Sequence, residues 1–252
     1  MDLSALVAVG LLAIRIGTLV AAAPIFGGTF APRLVKIGLI VLLAVVLLPV
    51  VPVPTTVSGG ALPVLALREC VIGLAIGLAI RVITGAAELG GYLISFQLGF
   101  GYAAIVDPQT GARNSVIATT YTSLTALTLL GINAHHAVLR ALVQSYEAVP
   151  IGGFSRLDPS VVKTVSSLLG IVFYTGVQLA APVVLALLVV ELVLGIITRA
   201  APALSIMVVG APVRLIVGLI ALAAAVGSVP GVTGGLLRGS LELATRLAAV
   251  VR

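Results

Sequence analysis

Apolar positions fill long stretches of this chain, and charged or helix-breaking residues interrupt them at only a few places. No Asp, Glu, Lys or Arg occurs from Ser115 to Leu139, from Thr164 to Val190, or from Leu215 to Leu237. About 20 apolar residues cross a hydrocarbon core of about 30 Å at a helical rise of about 1.5 Å per residue, so each run is long enough to span. Runs and breakers together predict helices over Leu3 to Ala23, Ile37 to Val51, Leu62 to Ile83, Leu89 to Val106, Ser115 to Val143, Val162 to Thr198 and Ala200 to Val226. The breakers are Pro24 to Pro32, Pro49 to Gly60, Asp107-Pro108-Gln109-Thr110-Gly111, Pro150-Ile151-Gly152-Gly153 and Arg199-Ala200-Ala201-Pro202, where Pro fixes φ and Gly permits φ > 0. The tail carries Arg238, Glu242 and Arg246 at four-residue spacing, as expected of a polar-faced helix at an interface. The expected fold is all-α, an integral membrane-type protein of six to seven long apolar helices, with the longest run either kinked at Pro182 or partly outside the bilayer.

Composition narrows the class. Hydrophobic residues make up 60% of 252 and charged residues 9%, so lipid or other apolar helices are the expected surroundings. The net charge of +6 does not suggest nucleic acid, because the basic residues are scattered singly. They read as topological anchors, with Arg33/Lys36, Arg156/Lys163 and the tail on the cytoplasmic side and the charge-free Pro52 to Gly60 loop opposite. Cys70 is alone, so no disulfide within the chain is expected. Ala21-Ala22-Ala23 imitates a cleavage site, but Asp2 and Arg15 argue for an uncleaved first segment. One helical domain over 1–252 is expected.

Charges inside apolar runs are costly unless paired or hydrated, which makes each a candidate site. Glu69, Gly73, Gly77 and Arg81 recur every four residues, and Glu88 follows seven residues after Arg81. Gly73-xxx-Gly77 is a small-residue surface that lets a neighbouring helix approach, with a charge at either end to pair across the contact. Glu191, Gly195 and Arg199 repeat the pattern. A packed interhelical seam is the expected role; an ion or proton pathway is the other.

Other motifs carry no chemistry. His135 and His136 are adjacent, so their side chains diverge by about 100° on a helix and cannot share an ion; a neighbouring carbonyl is the expected partner. Gly99-Phe100-Gly101-Tyr102-Ala103-Ala104 has dinucleotide-type glycines but no preceding strand and no acidic residue about 20 positions on. No P-loop, Gly-x-Ser-x-Gly elbow or His-Glu-x-x-His helix is present. No catalytic constellation, metal site or cofactor is expected. The hydroxyl-rich stretch Thr119 to Thr125 is expected to bond carbonyls one turn back, or to face a polar interior.

The order and spacing of certain residues resemble a known family. They are Arg15 with Pro24, Pro32 and Lys36; Glu69 with Gly73 and Gly77; Ala87-Glu88-Leu89-Gly90 with Gln97 and Gly99; and Val106-Asp107-Pro108. Asn133 and His135, Pro150-Ile151-Gly152, Ala181-Pro182-Val183, Arg199 through Pro202 to Ile206, and Gly210 with Pro212 follow. The chain resembles the flagellar biosynthesis protein FliR family, the R subunits of type III secretion export gates, together with their injectisome counterparts. The resemblance implies a non-enzymatic gate subunit in the bacterial inner membrane, within the flagellar basal body. FliP-like and FliQ-like subunits are its implied partners, with an FlhB-like subunit, around a pore for unfolded substrates. It also implies a P-like half over about 1–150, a Q-like half over about 151–252, and placement of much of the assembly above the bilayer plane. A plug-like loop follows the Asp-Pro motif; carried over, it is Asp107, Pro108, Gln109, Thr110, Gly111, Ala112, Arg113, Asn114 and Ser115. Here Ala134 stands where that family usually has Gly, and the plug is short of bulky apolar residues. A rival function is a secondary transporter that couples transport through Glu69, Arg81, Glu88 and Glu191.

Overall fold

The computed structural model describes residues 3–27, 32–51, 59–100, 115–151, 160–200 and 206–250. Among these residues the regular structure is helical. The elements are α1 (Leu3–Ala22), the short α2 (Pro24–Gly27), α3 (Arg33–Leu47), a 3-10 turn at Gly59–Ala61, α4 (Leu62–Gln97), α5 (Val116–Gly131) and α6 (Ala134–Ala148). The long α7 (Ser160–Ala200), α8 (Ile206–Val226) and α9 (Val229–Val250) complete it. The all-α membrane-type class is what the apolar runs predict: α4 and α7 are each long and apolar enough to cross a membrane alone. The bent pairs α5–α6 and α8–α9 qualify if each is one broken span.

Three boundaries differ from the sequence expectation, each for a local reason. α4 is one helix of 36 residues where two were expected, because Gly85 and the charges at Arg81 and Glu88 do not interrupt it. An isolated Gly costs about 1 kcal/mol against Ala in a helix, and the buried Ala86 and Ala87 lie beside it. The helix then stops at Gln97 rather than near Val106. Gly99 adopts φ +89, the Phe100 amide donates to the Ser95 carbonyl at 3.0 Å and the Gly99 amide to Phe96 at 3.1 Å, the paired bonds of a Schellman stop. Those bonds, rather than close backbone packing, are what Gly99 supplies. The expected single helix Ser115 to Val143 is broken into α5 and α6, which meet at 70°. Asn133 sits at φ 56 in the left-handed region and its amide donates to Leu130 at 3.0 Å, so Asn does there what Gly does at position 99.

Two compact units divide the chain, and each has its own core. The first comprises Met1–Ile83, Leu129–Leu169 and Gly234–Arg252; the second Thr84–Thr128 and Gly170–Thr233. In the first, α1 buries Leu12, Ile16 and Leu19, residues three and four apart on one stripe. They join Ile72, Ile76 and Ile80 of α4 and Val138 and Leu142 of α6, while α3 contributes Ala44 and Leu47. In the second, Ile94 of α4, Tyr121 of α5 and Val183 and Leu187 of α7 pack with Ala225 of α8 and Val229 of α9.

Candidate functional site

Arg15 lies in the middle of α1, and its side chain and that of Glu69 on α4 are each 0% exposed. Arg15 Nε donates to Glu69 Oε2 at 2.5 Å, Nη1 to Ser145 Oγ at 3.1 Å and Nη2 to the Val149 carbonyl at 3.1 Å. The guanidinium also lies over the Tyr146 ring, 4.1 Å from its centroid. A planar fork suits this setting, since one group serves a carboxylate, a hydroxyl, a carbonyl and an aromatic face at once. Beside it, Arg68 Nη2 donates to the Pro150 carbonyl at 3.2 Å.

The glycine seam adjoins this cluster. A Cβ on Gly73 would meet Thr18 Oγ1 and the Arg15 carbonyl oxygen, with the Arg15 carbonyl carbon at 3.0 Å. One on Gly77 would lie 2.5 Å from the Ala22 Cβ and 2.9 Å from the Leu19 carbonyl oxygen. The backbones of α1 and α4 are therefore in direct contact, and one turn of α4 below, the same approach brings Arg15 to Glu69. Glycine at two positions and a charge pair at a third are parts of a single contact.

The other sequence-predicted residues are placed differently. Arg81 is exposed and Glu88 half-buried. Four residues turn a helix by 400°, so a four-residue series drifts by 40° per step and Arg81 falls 120° away from Glu69. In the second unit, Glu191 of α7 accepts from Gln97 Nε2 at 3.3 Å and pairs with Arg214 Nη2 of α8 at 3.5 Å. The side chains of Arg214 and Glu191 are 39% and 36% exposed. Gly195 has open space around it and Arg199 is exposed in the last turn of α7. Pro202 and Asp107 to Asn114 lie outside the described residues. Ser115 is the N-cap of α5: its Oγ accepts from the Ala118 amide at 3.1 Å.

Sequence reasoning missed two features. Arg15 is the hub of the buried cluster, and its signal was a lone charge midway along an apolar run. Gly91 forms a second seam, where a Cβ would lie 2.8 Å from the Ala118 amide nitrogen and closer still to its Cα. His135 Nδ1 is buried and makes no hydrogen bond. Thr119, Thr120 and Thr128 donate to carbonyls one turn back at 3.1, 2.8 and 2.8 Å, and Thr122 does the same to Ala118. Thr119, Thr120 and Ser123 line an open groove of ≈ 390 Å³ along α5 with Val116, Leu124 and Leu127.

Of the two charged clusters, the first joins three helices and the second is a surface pair, and both suit a protein that packs rather than reacts. Comparison with known proteins places the chain in a family. Residues 6–239 match the family described as "Bacterial export proteins, family 1". The flagellar biosynthetic protein FliR of Bacillus subtilis (strain 168) is 31% identical over 245 residues, covering 94% of this chain and 93% of its own length. That of Pectobacterium carotovorum subsp. carotovorum is 32% identical over 210 residues, covering 83% and 80%. That of Escherichia coli (strain K12) is 31% identical over 212 residues, covering 84% and 81%. By a match that runs through nearly its whole length, this chain belongs to the bacterial export proteins, family 1.

Proposed function

We propose that the chain is a non-enzymatic subunit of the flagellar protein export gate in the bacterial inner membrane, assembled with unlike subunits around a conduit for unfolded flagellar proteins. Family membership and the names of the relatives support the export role. The observation that carries the assembly is the uncovered length of α7. In the most apolar stretch of α7, 17% is buried, against 61% in α4. Large apolar side chains stay exposed from Leu169 to Ile197, among them Phe173, Leu185, Leu192 and Ile196. That interval is roughly 42 Å of helix against a hydrocarbon core of about 30 Å, and at the average tilt of about 20° it still projects to about 39 Å along the bilayer normal, well beyond the core. Apolar surface beyond the lipid calls for a protein neighbour. FliP-like and FliQ-like subunits, which the family resemblance implies, are the proposed neighbours, with an FlhB-like subunit alongside.

In this reading Asp107 to Ser115 is the stopper of the closed gate, and Glu69, Gly73, Gly77, Arg81, Glu88, Glu191, Arg199 and Pro202 serve packing rather than transport. Two measurements test it. Co-expression with the unlike subunits should give a mixed complex, and the chain expressed alone should be recovered poorly; full recovery as an active solute transporter would replace the reading with the transporter. Removing Gln109 to Asn114 should leave assembly intact and make membranes leakier to small ions. An assembled deletion variant as tight as wild type would place the stopper elsewhere.

A further inference from the structure

The end of α6 has an unusual finish. Its last carbonyls lack partners within the helix, as at any helix C-terminus, and the ordinary remedy is a glycine in the left-handed region just beyond. Here the C-cap residue is Val149 at φ −134 and ψ 88, followed by Pro150, which has no N–H to return. The two consecutive carbonyls that follow the helix are instead taken by two arginines from two other helices. Arg15 of α1 donates to Val149 and Arg68 of α4 donates to Pro150. Arg15 also holds Ser145 Oγ in the last turn of α6 and covers the face of Tyr146 beside it.

Charge arithmetic favours the same arrangement. Arg15 pairs with Glu69, and Arg68 brings a second guanidinium to the same helix end, which leaves one positive charge over. The carbonyl end of a helix carries about half a negative charge, and cations placed there are stabilised. The end of α6 therefore supplies the acceptors and the field that Glu69 alone does not. Arg15 is 0% exposed, so it has no water to fall back on.

We infer that Arg15 and Arg68 form a C-cap supplied from two other helices, and that this cap fixes where the chain leaves α6. Arg15 is thus a positioning residue for the α6 exit and not only a partner for Glu69. The inference stands on the geometry of the first unit and does not depend on the gate reading.

Hydrogen exchange on the full-length chain, in the same detergent for every variant, tests it. Arg15→Lys keeps the charge and loses the fork; Arg68→Met removes the second arm and leaves the Arg15–Glu69 pair. Both should speed exchange in a peptide covering Ser145 to Ile151 by roughly tenfold or more relative to peptides from α1 and α4. Ile76→Ala, a core truncation away from the cap, should lower protection across the first unit without singling out that peptide. If Arg15→Lys and Arg68→Met give the same uniform pattern as Ile76→Ala, the cap is overturned. Should Arg15→Lys fail to accumulate, Arg68→Met and Ser145→Ala carry the test, and wild-type exchange at the α6 end in both would overturn it equally.

Discussion

In the first unit Arg15 and Glu69 are each 0% exposed and share their surroundings with a hydroxyl, a carbonyl and an aromatic ring. In the second unit Glu191 and Arg214 keep 36% and 39% of their side-chain surface, at a longer separation of 3.5 Å. The residue types are the same, yet the energetics are opposite. An exposed pair loses little water and gains little, about 0–1 kcal/mol. A buried pair has given up its hydration, so its members are tolerated only together, and removing one costs about 3–5 kcal/mol. The first pair therefore reports on whether α1, α4 and α6 have come together, and the second does not report on folding.

The largest expected effect follows directly. Glu69→Ala should destabilise the chain by about 3–5 kcal/mol, and Arg15→Ala by at least as much, since Ser145 and Val149 also lose a donor. The double change Arg15→Met with Glu69→Leu should recover part of that loss, because two apolar groups of similar size leave no orphaned charge. Midpoints of detergent-induced unfolding would measure all three. A double variant less stable than Glu69→Ala would mean that the pair contributes net stability in its own right, and the contrast between the units would rest on attraction instead of orphaning.

Close packing, unlike charge, is common to both units, and the next prediction uses this. Gly73→Ala and Gly77→Ala drive a methyl into the α1 backbone, and Gly91→Ala drives one into Ala118. Overpacking of this kind costs about 1–3 kcal/mol. A leucine at Gly73 or Gly77 should prevent recovery of the mixed complex altogether. Gly195→Ala, with nothing within 4 Å, should lose no stability and gain up to about 1 kcal/mol from helix propensity. Equal losses at Gly195 and Gly73 would show that contact does not govern these sites, since Ala is the better helix former and propensity alone predicts a gain at both.

How much of this was legible in the sequence depends on the range of the cause. Helices and their apolar character follow from local pattern, and so did the pairing of Gly73 with Gly77 on one face. Whether a given break stops a helix was not local. Gly85 is carried through α4 by the packing of its neighbours, whereas Gly99 ends it, and both are single glycines in apolar surroundings. The partner of Glu69 lies 54 residues away and the Ser145 contact spans 130, distances at which periodicity carries no signal. Extending a four-residue repeat to Arg81 failed for a geometric reason, the 40° drift per step. The open surface of α7 was visible only as excess length.

The smallest effect is at Glu191, and it separates what the isolated chain does from what the assembly does. With its side chain 36% exposed and its carboxylate shared by Gln97 and Arg214, Glu191→Gln should change the stability of the isolated chain by less than about 1 kcal/mol. Salt should weaken the wild-type pair too, since the Debye length falls to about 3 Å at 1 M, whereas Arg15–Glu69 should be insensitive. In the assembled complex the expectation changes. If a partner subunit covers the exposed face of α7, water leaves Glu191, and the same substitution orphans Arg214 in a drier setting. Glu191→Gln should then lower the dissociation midpoint of the complex by clearly more than it lowers the unfolding midpoint of the isolated chain, and salt should matter less. Equal, small shifts in both states would show that α7 remains uncovered at Glu191, and the neighbour proposed for this helix would have to sit closer to Phe173.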